Sequence, residues 1–100
     1  MVTIVDYGSG NLRSVQKSFE RLGTEAVITS DPDRVATAAA LVLPGVGAFG
    51  DAMRAIHDRG LVEPIQAHVR ADRPFLGICM GLQLLFETGW EGGRHEGLGV

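Results

Sequence analysis

Four short, continuous apolar runs alternate with helical patterns along this chain, and that alternation limits the folds open to it. The runs occupy residues 2–5, 25–29, 40–43 and 75–78. A strand that is apolar at successive positions is typically buried on both faces, as in a parallel sheet covered by helices. Because crossovers between parallel strands are right-handed, the sequence predicts an α/β fold: a doubly wound, three-layer α/β/α sandwich with a mostly parallel sheet.

The segments between these runs carry helix signals. Residues 12–22 hold an apolar stripe at helical spacing, Asn11 stands where it can cap that helix, and Gly23 ends it. Asp31-Pro32 is an N-cap followed by a proline at the first helical position, which starts a short helix to about residue 38. Further helices are predicted through residues 49–56, over 61–71 and over 80–86, and residues 88–97 are predicted to be a polar loop.

Length and composition exclude several classes of protein. One hundred residues suit a single domain, which we expect to span residues 1–100. The net charge is −3 and the basic residues are scattered, so no nucleic-acid partner is indicated. The chain has no apolar run of about 18 residues and therefore no membrane span, and its first residues do not resemble a signal peptide. A single cysteine suits a reducing cytoplasm, and neither a metal nor a cofactor is implied.

The fourth apolar run ends in a motif that predicts a reactive thiol. Gly77-Ile78-Cys79-Met80-Gly81 places the single cysteine of the chain between two glycines, at a turn from a strand into a helix. This is the Gly-x-Cys-x-Gly form of a nucleophile elbow, whose sharp turn leaves little room for a Cβ on either flank. A sulfur at a helix N-terminus is favoured as the thiolate. A small buried apolar residue is the alternative for a lone cysteine, and the paired glycines favour the nucleophile.

The loop after the third run has the composition of an oxyanion-binding segment. Attack of a thiolate on a carbonyl creates an oxyanion, which needs N–H donors that are already oriented toward it. The backbone N–H of Met80 is one expected donor, and the Val46–Gly47 segment of Pro44-Gly45-Val46-Gly47 is a second. Gln83 lies four residues beyond the cysteine, on the same helix face, where it contacts substrate or is a polar residue at the helix margin.

A dinucleotide-binding interpretation competes for the same loop. Residues 45–50 match G-x-G-x-x-G between a predicted strand and a predicted helix. The acidic residue that should end the next strand about 20 residues on is absent, because two helices intervene and that strand leads to Cys79. The first turn has Gly8 and Gly10 but Arg13 at the third position. We therefore favour the oxyanion loop.

These stretches together resemble a known family. Gly77-Ile78-Cys79-Met80-Gly81-Leu82-Gln83 resembles the nucleophile motif of class I (triad) glutamine amidotransferases, and residues 44–47 resemble their oxyanion strand. Residues 6–12 and 43–53 resemble, within that family, the glutaminase subunits of imidazole glycerol phosphate synthases. The resemblance covers all 100 residues and implies a sandwich of flavodoxin-like topology.

The resemblance also implies a reaction and a partner. Cys79 would attack the side-chain amide of glutamine, Gly45 and Gln83 would help to hold that substrate, and no cofactor would be needed. The ammonia would pass to a (β/α)8-barrel cyclase subunit in histidine biosynthesis. The loop around Gly10 and Asn11 would face that partner.

One part of the family pattern is missing. The triad needs a histidine base and a glutamate that orients it, spaced as His-x-Glu. The chain has only His57 and His68, expected at partly solvated helix positions, and the adjacent pair His95-Glu96. We therefore expect the sheet to be incomplete at the C-terminus, the triad partners to lie beyond residue 100, and the 100 residues alone to be inactive.

Three other functions fit parts of the pattern. The elbow alone also fits a glutaminase that serves a different acceptor, and a thiol-based redox enzyme or hydrolase. A non-catalytic domain that kept the fold and lost the base is a third alternative. A downstream His-x-Glu would favour catalysis, and saturable labelling by a glutamine-analogue electrophile would favour a glutamine pocket.

Overall fold

The computed structural model describes residues 1–8, 11–45, 49–78, 84, 88–89 and 95–99. Strands and helices alternate through most of this range, as the sequence predicts. In chain order the elements are β1 (Val2–Val5), α1 (Leu12–Arg21), β2 (Ala26–Thr29), α2 (Pro32–Thr37), β3 (Leu41–Leu43), α3 (Phe49–Asp58), α4 (Val62–Arg70), β4 (Phe75–Gly77), β5 (Thr88–Gly89) and β6 (His95–Glu96).

The first four strands form one parallel sheet in the order β2-β1-β3-β4. Ile4 lies opposite Ile28 on one side and Val42 on the other, and Val42 lies opposite Leu76. The predicted parallel sheet is therefore confirmed, and so is the expectation that the third and fourth strands are neighbours. All four strands consequently end at the same edge of the sheet.

Helices lie on both faces of this sheet. One core cluster joins the face of the sheet that includes Val5 and Leu43 to side chains of α2, α3 and α4, such as Val35, Ile56 and Ile65. The other cluster contains the oppositely directed strand residues Ile4, Ala26 and Val42, packed against α1. Strand residues alternate between faces, so these two clusters make the predicted three-layer sandwich.

Most helix ends follow the local rules that the sequence indicates. The Asp31 carboxylate accepts a hydrogen bond from the backbone N–H of Asp33 at 3.0 Å, at the start of α2. Gly23 and Gly60 follow α1 and α3 with φ of 81° and 68°, a conformation that glycine adopts easily. Asn11 stands at the N-cap of α1 but its side chain makes no capping hydrogen bond, so the predicted cap is wrong.

The face that carries α1 is less completely covered than the sequence predicts. The Leu76 side chain is 48% exposed, although its strand was expected to be buried on both faces. On that face α1 packs on β1, β2 and β3, so a groove of about 430 Å³ remains beside β4. Apolar side chains of both elements, Val15, Phe19, Leu22, Leu76 and Ile78, line most of it.

The last described residues differ from a simple loop. β5 and β6 pair in antiparallel fashion within residues 88–97, which were predicted to be irregular. Leu98 is buried, its N–H donates to the Leu84 carbonyl at 2.7 Å, and its carbonyl accepts from Gln66 Nε2 at 2.8 Å. Across the described ranges, no helix has the length and apolar character needed to cross a membrane.

Candidate functional site

The candidate site lies at the carboxyl edge of the parallel sheet. In open α/β sheets ligands bind outside the carboxyl ends of the strands, in the loops that follow them. β3 lies between β1 and β4, so the loop after β3 is flanked by the loops after β1 and β4. The sequence motifs that carry the family resemblance follow these three strands along the chain.

The pairing of β3 with β4 brings two of these loops together at their bases. Leu43 lies opposite Gly77, and the N–H of Ile78 donates to the Leu43 carbonyl at 3.0 Å. Pro44 follows Leu43 and begins the predicted oxyanion loop, while the residue after Ile78 is Cys79. The two loops therefore begin from hydrogen-bonded positions.

A buried hydrogen bond joins the loop after β1 to the loop after β3. The hydroxyl of Tyr7 donates to the carbonyl of Pro44 at 2.6 Å, and the Tyr7 side chain is only 1% exposed. Tyr7 is not among the site residues predicted from the sequence. The available signal was an aromatic residue with a polar end directly after a buried strand, since a buried tyrosine hydroxyl usually has a partner.

The turn that carries Tyr7 is fixed on both sides of it. The Asp6 N–H donates to the Thr29 carbonyl at 2.8 Å, and the Asp6 carboxylate accepts from the Gly8 N–H at 2.9 Å. Gly8 has φ of 89°, and a Cβ built there would lie 3.0 Å from Nη2 of Arg59. The guanidinium of Arg59 thus lies against this turn, although it is 51 residues away in sequence.

Two of the predicted site residues lie in the described part of the chain. Gly45 is buried at the base of the oxyanion loop, and Asn11 is exposed at the start of α1. The other predicted site residues are outside the described residues: Gly10, Val46, Gly47, Cys79, Met80 and Gln83. Their roles stay predictions.

The histidines occupy three different environments. His57 is exposed on α3, as expected. His68 was expected to be partly solvated, and this is wrong: it is 1% exposed, and its Nε2–H donates to the Pro74 carbonyl at 2.9 Å. Pro74 precedes β4, so His68 lies at the amino end of the strand that leads to Cys79. His95 belongs to β6.

One ring nitrogen of His68 is buried without a partner. Nε2–H donates to the Pro74 carbonyl, and Nδ1 has no hydrogen-bond partner. Within the described ranges, no group of three or more histidine, cysteine, aspartate and glutamate side chains is arranged to hold a metal ion.

Comparison with known proteins gives one family and several relatives. The family described as "Glutamine amidotransferase class-I" matches residues 3–91. The protein named "Imidazole glycerol phosphate synthase subunit HisH" from Rhodopirellula baltica is 63% identical over 100 residues, covering 100% of this chain and 49% of that protein. Proteins of the same name are 59% identical in Syntrophotalea carbinolica, over 48% of that protein, and 55% identical in Aquifex aeolicus, over 47%.

A solved structure matches the fold. A protein described as "Crystal structure of glutamine amidotransferase" superposes with a TM-score of 0.81 and 23% sequence identity, over 100% of this chain and 53% of that chain. The chain thus spans about half the length of the curated relatives it matches.

Proposed function

The chain belongs to the class I glutamine amidotransferase family, and from that premise we propose that it carries the nucleophile of a glutaminase. The relatives named as a subunit of imidazole glycerol phosphate synthase are 55–63% identical to it in the three organisms above. This level of identity supports the narrower proposal that the glutaminase is that subunit and acts in histidine biosynthesis.

The proposed reaction has two steps at Cys79. The thiolate attacks the side-chain amide carbon of glutamine, the C–N bond breaks, and the nitrogen leaves with an added proton as ammonia, giving a γ-glutamyl thioester. Water then attacks the thioester, which releases glutamate and restores the thiol. The oxyanion formed in each step is assigned to the N–H groups of Met80 and of the Val46–Gly47 segment. Gly45 and Gln83 are assigned to glutamine binding.

The single observation that carries this proposal is the hydrogen bond from Ile78 N–H to the Leu43 carbonyl. An elbow nucleophile and an oxyanion loop act together only if the strands that lead into them are neighbours. β3 and β4 are neighbours, and this bond joins the last residues before the two loops. The buried position of Gly45 also supports a backbone that follows the sheet closely into the loop.

We propose a (β/α)8-barrel cyclase as the partner that receives the ammonia. It would use the ammonia to form imidazole glycerol phosphate and an aminoimidazole carboxamide ribotide. Asn11 is consistent with a partner contact at the start of α1, because it is exposed and its side chain makes no capping hydrogen bond to that helix. Gly10 and Asn11 are therefore assigned to the partner-facing loop, and the assembly is a heterodimer placed in the cytoplasm.

The triad base is assigned to none of the three histidines. His57 is exposed on α3, and His68 is buried at the opposite end of β4. The pair His95-Glu96 lacks the His-x-Glu spacing. We therefore expect residues 1–100 alone to release no glutamate, and Cys79-dependent glutamate release by them would contradict this expectation.

The test uses the natural protein that carries these residues, assembled with its cyclase partner. Cys79→Ala is expected to lower glutamate release by at least about 10³-fold, because the proposed thioester forms on the Cys79 sulfur. Cyclase activity supplied with ammonium ions should stay, because it bypasses the thiol. Thr3→Val, which removes a buried hydroxyl at the amino edge of the sheet, is the control. Undiminished glutaminase activity in the Cys79→Ala protein would exclude the proposed function.

A further inference from the structure

The Tyr7 hydroxyl occupies a position that a backbone donor would otherwise take. The Thr3 N–H donates to the Ala40 carbonyl at 2.9 Å, and parallel ladders repeat every two residues. With this period, the N–H of residue 5 would face the carbonyl of residue 42. One step further, past the end of β1, the N–H of residue 7 would face the carbonyl of residue 44. At the last of these positions the donor to the Pro44 carbonyl is the side-chain hydroxyl of Tyr7, at 2.6 Å.

Because the Tyr7 hydroxyl replaces a backbone N–H as the donor, the backbone can leave the ladder with β3 after β1 and the Pro44 carbonyl is still paired. The Asp6 N–H donates to the Thr29 carbonyl, on the β2 side. The Asp6 carboxylate accepts from the Gly8 N–H, so the intervening residue is held in a tight turn. The ring of Tyr7 packs in the same core cluster as Leu43 and Phe49. Its hydroxyl therefore has a fixed direction.

The Pro44 carbonyl belongs to the peptide plane that begins the predicted oxyanion loop. Its oxygen and the Gly45 N–H are parts of one rigid unit, so fixing the oxygen also fixes the direction of that N–H. The next positions are glycine, valine and glycine, and a loop with two glycines can rotate its peptides at low cost. A buried hydrogen bond at the base of such a loop constrains the peptide from which the loop starts.

We propose that Tyr7 is a positioning residue for the oxyanion loop, acting through its hydrogen bond to the Pro44 carbonyl. Tyr7 does not touch the glutamine. It holds the Pro44–Gly45 peptide, from which the chain enters the segment assigned to the oxyanion donors. The inference rests on the proposed glutaminase function and deepens it.

The test is Tyr7→Phe in the natural protein with its cyclase partner. Phenylalanine fills the same volume and removes only the hydroxyl, so the core packing is retained. Loss of one oxyanion donor lowers kcat by about 10²–10³-fold. A donor that is retained but misplaced should cost less than a donor that is removed. We expect kcat for glutamate release to fall about 10–100-fold, with KM for glutamine changed by less than about twofold.

A second measurement separates positioning from general damage. Iodoacetamide alkylates a thiolate by displacement at a saturated carbon, so no oxyanion forms. The rate of Cys79 alkylation should therefore be equal in the Tyr7→Phe protein and the wild type, while glutamate release differs. Thr3→Val removes the hydroxyl of a buried residue within β1, near the amino edge of the sheet, and should change neither rate.

Each outcome decides the inference. If the wild type is active and Tyr7→Phe has the same kcat, the positioning role of Tyr7 is overturned and the proposed function stands. Parallel losses of glutamate release and of alkylation also overturn that role, because the hydroxyl would then support the nucleophile or the fold as a whole. A wild type without Cys79-dependent glutamate release overturns the proposed function, and this inference with it.

Discussion

Three glycines with positive φ allow the crowding at the turn beside the candidate site to be measured by comparison. Gly8, Gly23 and Gly60 have φ of 89°, 81° and 68°. A Cβ added at Gly8 would lie 3.0 Å from Nη2 and 3.6 Å from Cζ of Arg59, whereas one added at Gly23 or Gly60 meets nothing within 4 Å. Alanine at each position therefore carries the same kind of backbone strain, and only at Gly8 does it also displace a side chain.

The expected free energies follow from these two terms. A non-glycine residue at positive φ costs about 1–2 kcal/mol, and alanine recovers about 0.4–1 kcal/mol by restricting the unfolded chain. Gly23→Ala and Gly60→Ala should each lower the free energy of unfolding by about 1 kcal/mol. Gly8→Ala should lower it by about 0.5 kcal/mol more, because the end of the Arg59 side chain must move away from the added Cβ.

The assay is urea unfolding of the three variants, repeated for Gly8→Ala and Gly23→Ala in an Arg59→Ala background. The extra cost of Gly8→Ala should disappear in that background, because the crowded group is absent. Equal costs at Gly8 and Gly23 in the presence of Arg59 would refute the placement of the guanidinium against Gly8. An extra cost that persists without Arg59 would show that the crowding comes from another group.

Two further comparisons test the turn after α4 and the packing of β3 and β4. Asp72 has φ of 57° just after α4. Asp72→Gly should therefore raise the free energy of unfolding by about 0.5–1 kcal/mol, because it relieves backbone strain and removes a negative charge from a helix C-terminus. Asp72→Asn is the control for charge, and a glycine variant that is less stable in urea would contradict the positive φ of Asp72. Leu43→Ala should cost about 2–4 kcal/mol because Leu43 is fully buried, whereas Leu76→Ala on the neighbouring strand should cost less than about 1 kcal/mol. Equal losses in the same assay would mean that Leu76 is covered in solution.

The parts of the fold that depend on local sequence were predictable. Continuous apolar runs located all four strands of the sheet, and glycines 23 and 60 ended their helices where expected. Three strand ends lie one residue inside the predicted ones: β2 begins at Ala26, β3 begins at Leu41 and β4 ends at Gly77. Strand ends depend on which backbone groups find partners, and that is decided by the neighbouring strand.

The contacts that depend on lateral order were not predictable in the same way. The Tyr7–Pro44 bond joins residues 37 apart and requires β1 to lie beside β3. The exposure of Leu76 depends on tertiary packing, since the cluster that contains the α1 side chains is built on Ile4, Ala26 and Val42. The burial of His68 is different, because a signal was available: Leu61, Ile65 and His68 share one helix face at i, i+4 and i+7.

The strand order also explains why the candidate site forms around β3. The chain passes from β1 to β2 in one direction across the sheet, and from β3 to β4 in the other. The point between β1 and β3 is thus the topological switch point, where a crevice opens at the carboxyl edge.

At that crevice, two consecutive carbonyls of the β3 end are used in opposite directions. Successive carbonyls of a strand point to opposite sides, so the Leu43 carbonyl meets Ile78 N–H on the β4 side and the Pro44 carbonyl meets the Tyr7 hydroxyl on the β1 side. The ring of Tyr7 is buried between these two strand ends and packs in the same core cluster as Leu43. On the β4 side of this base, the residue that follows Ile78 in the sequence is Cys79.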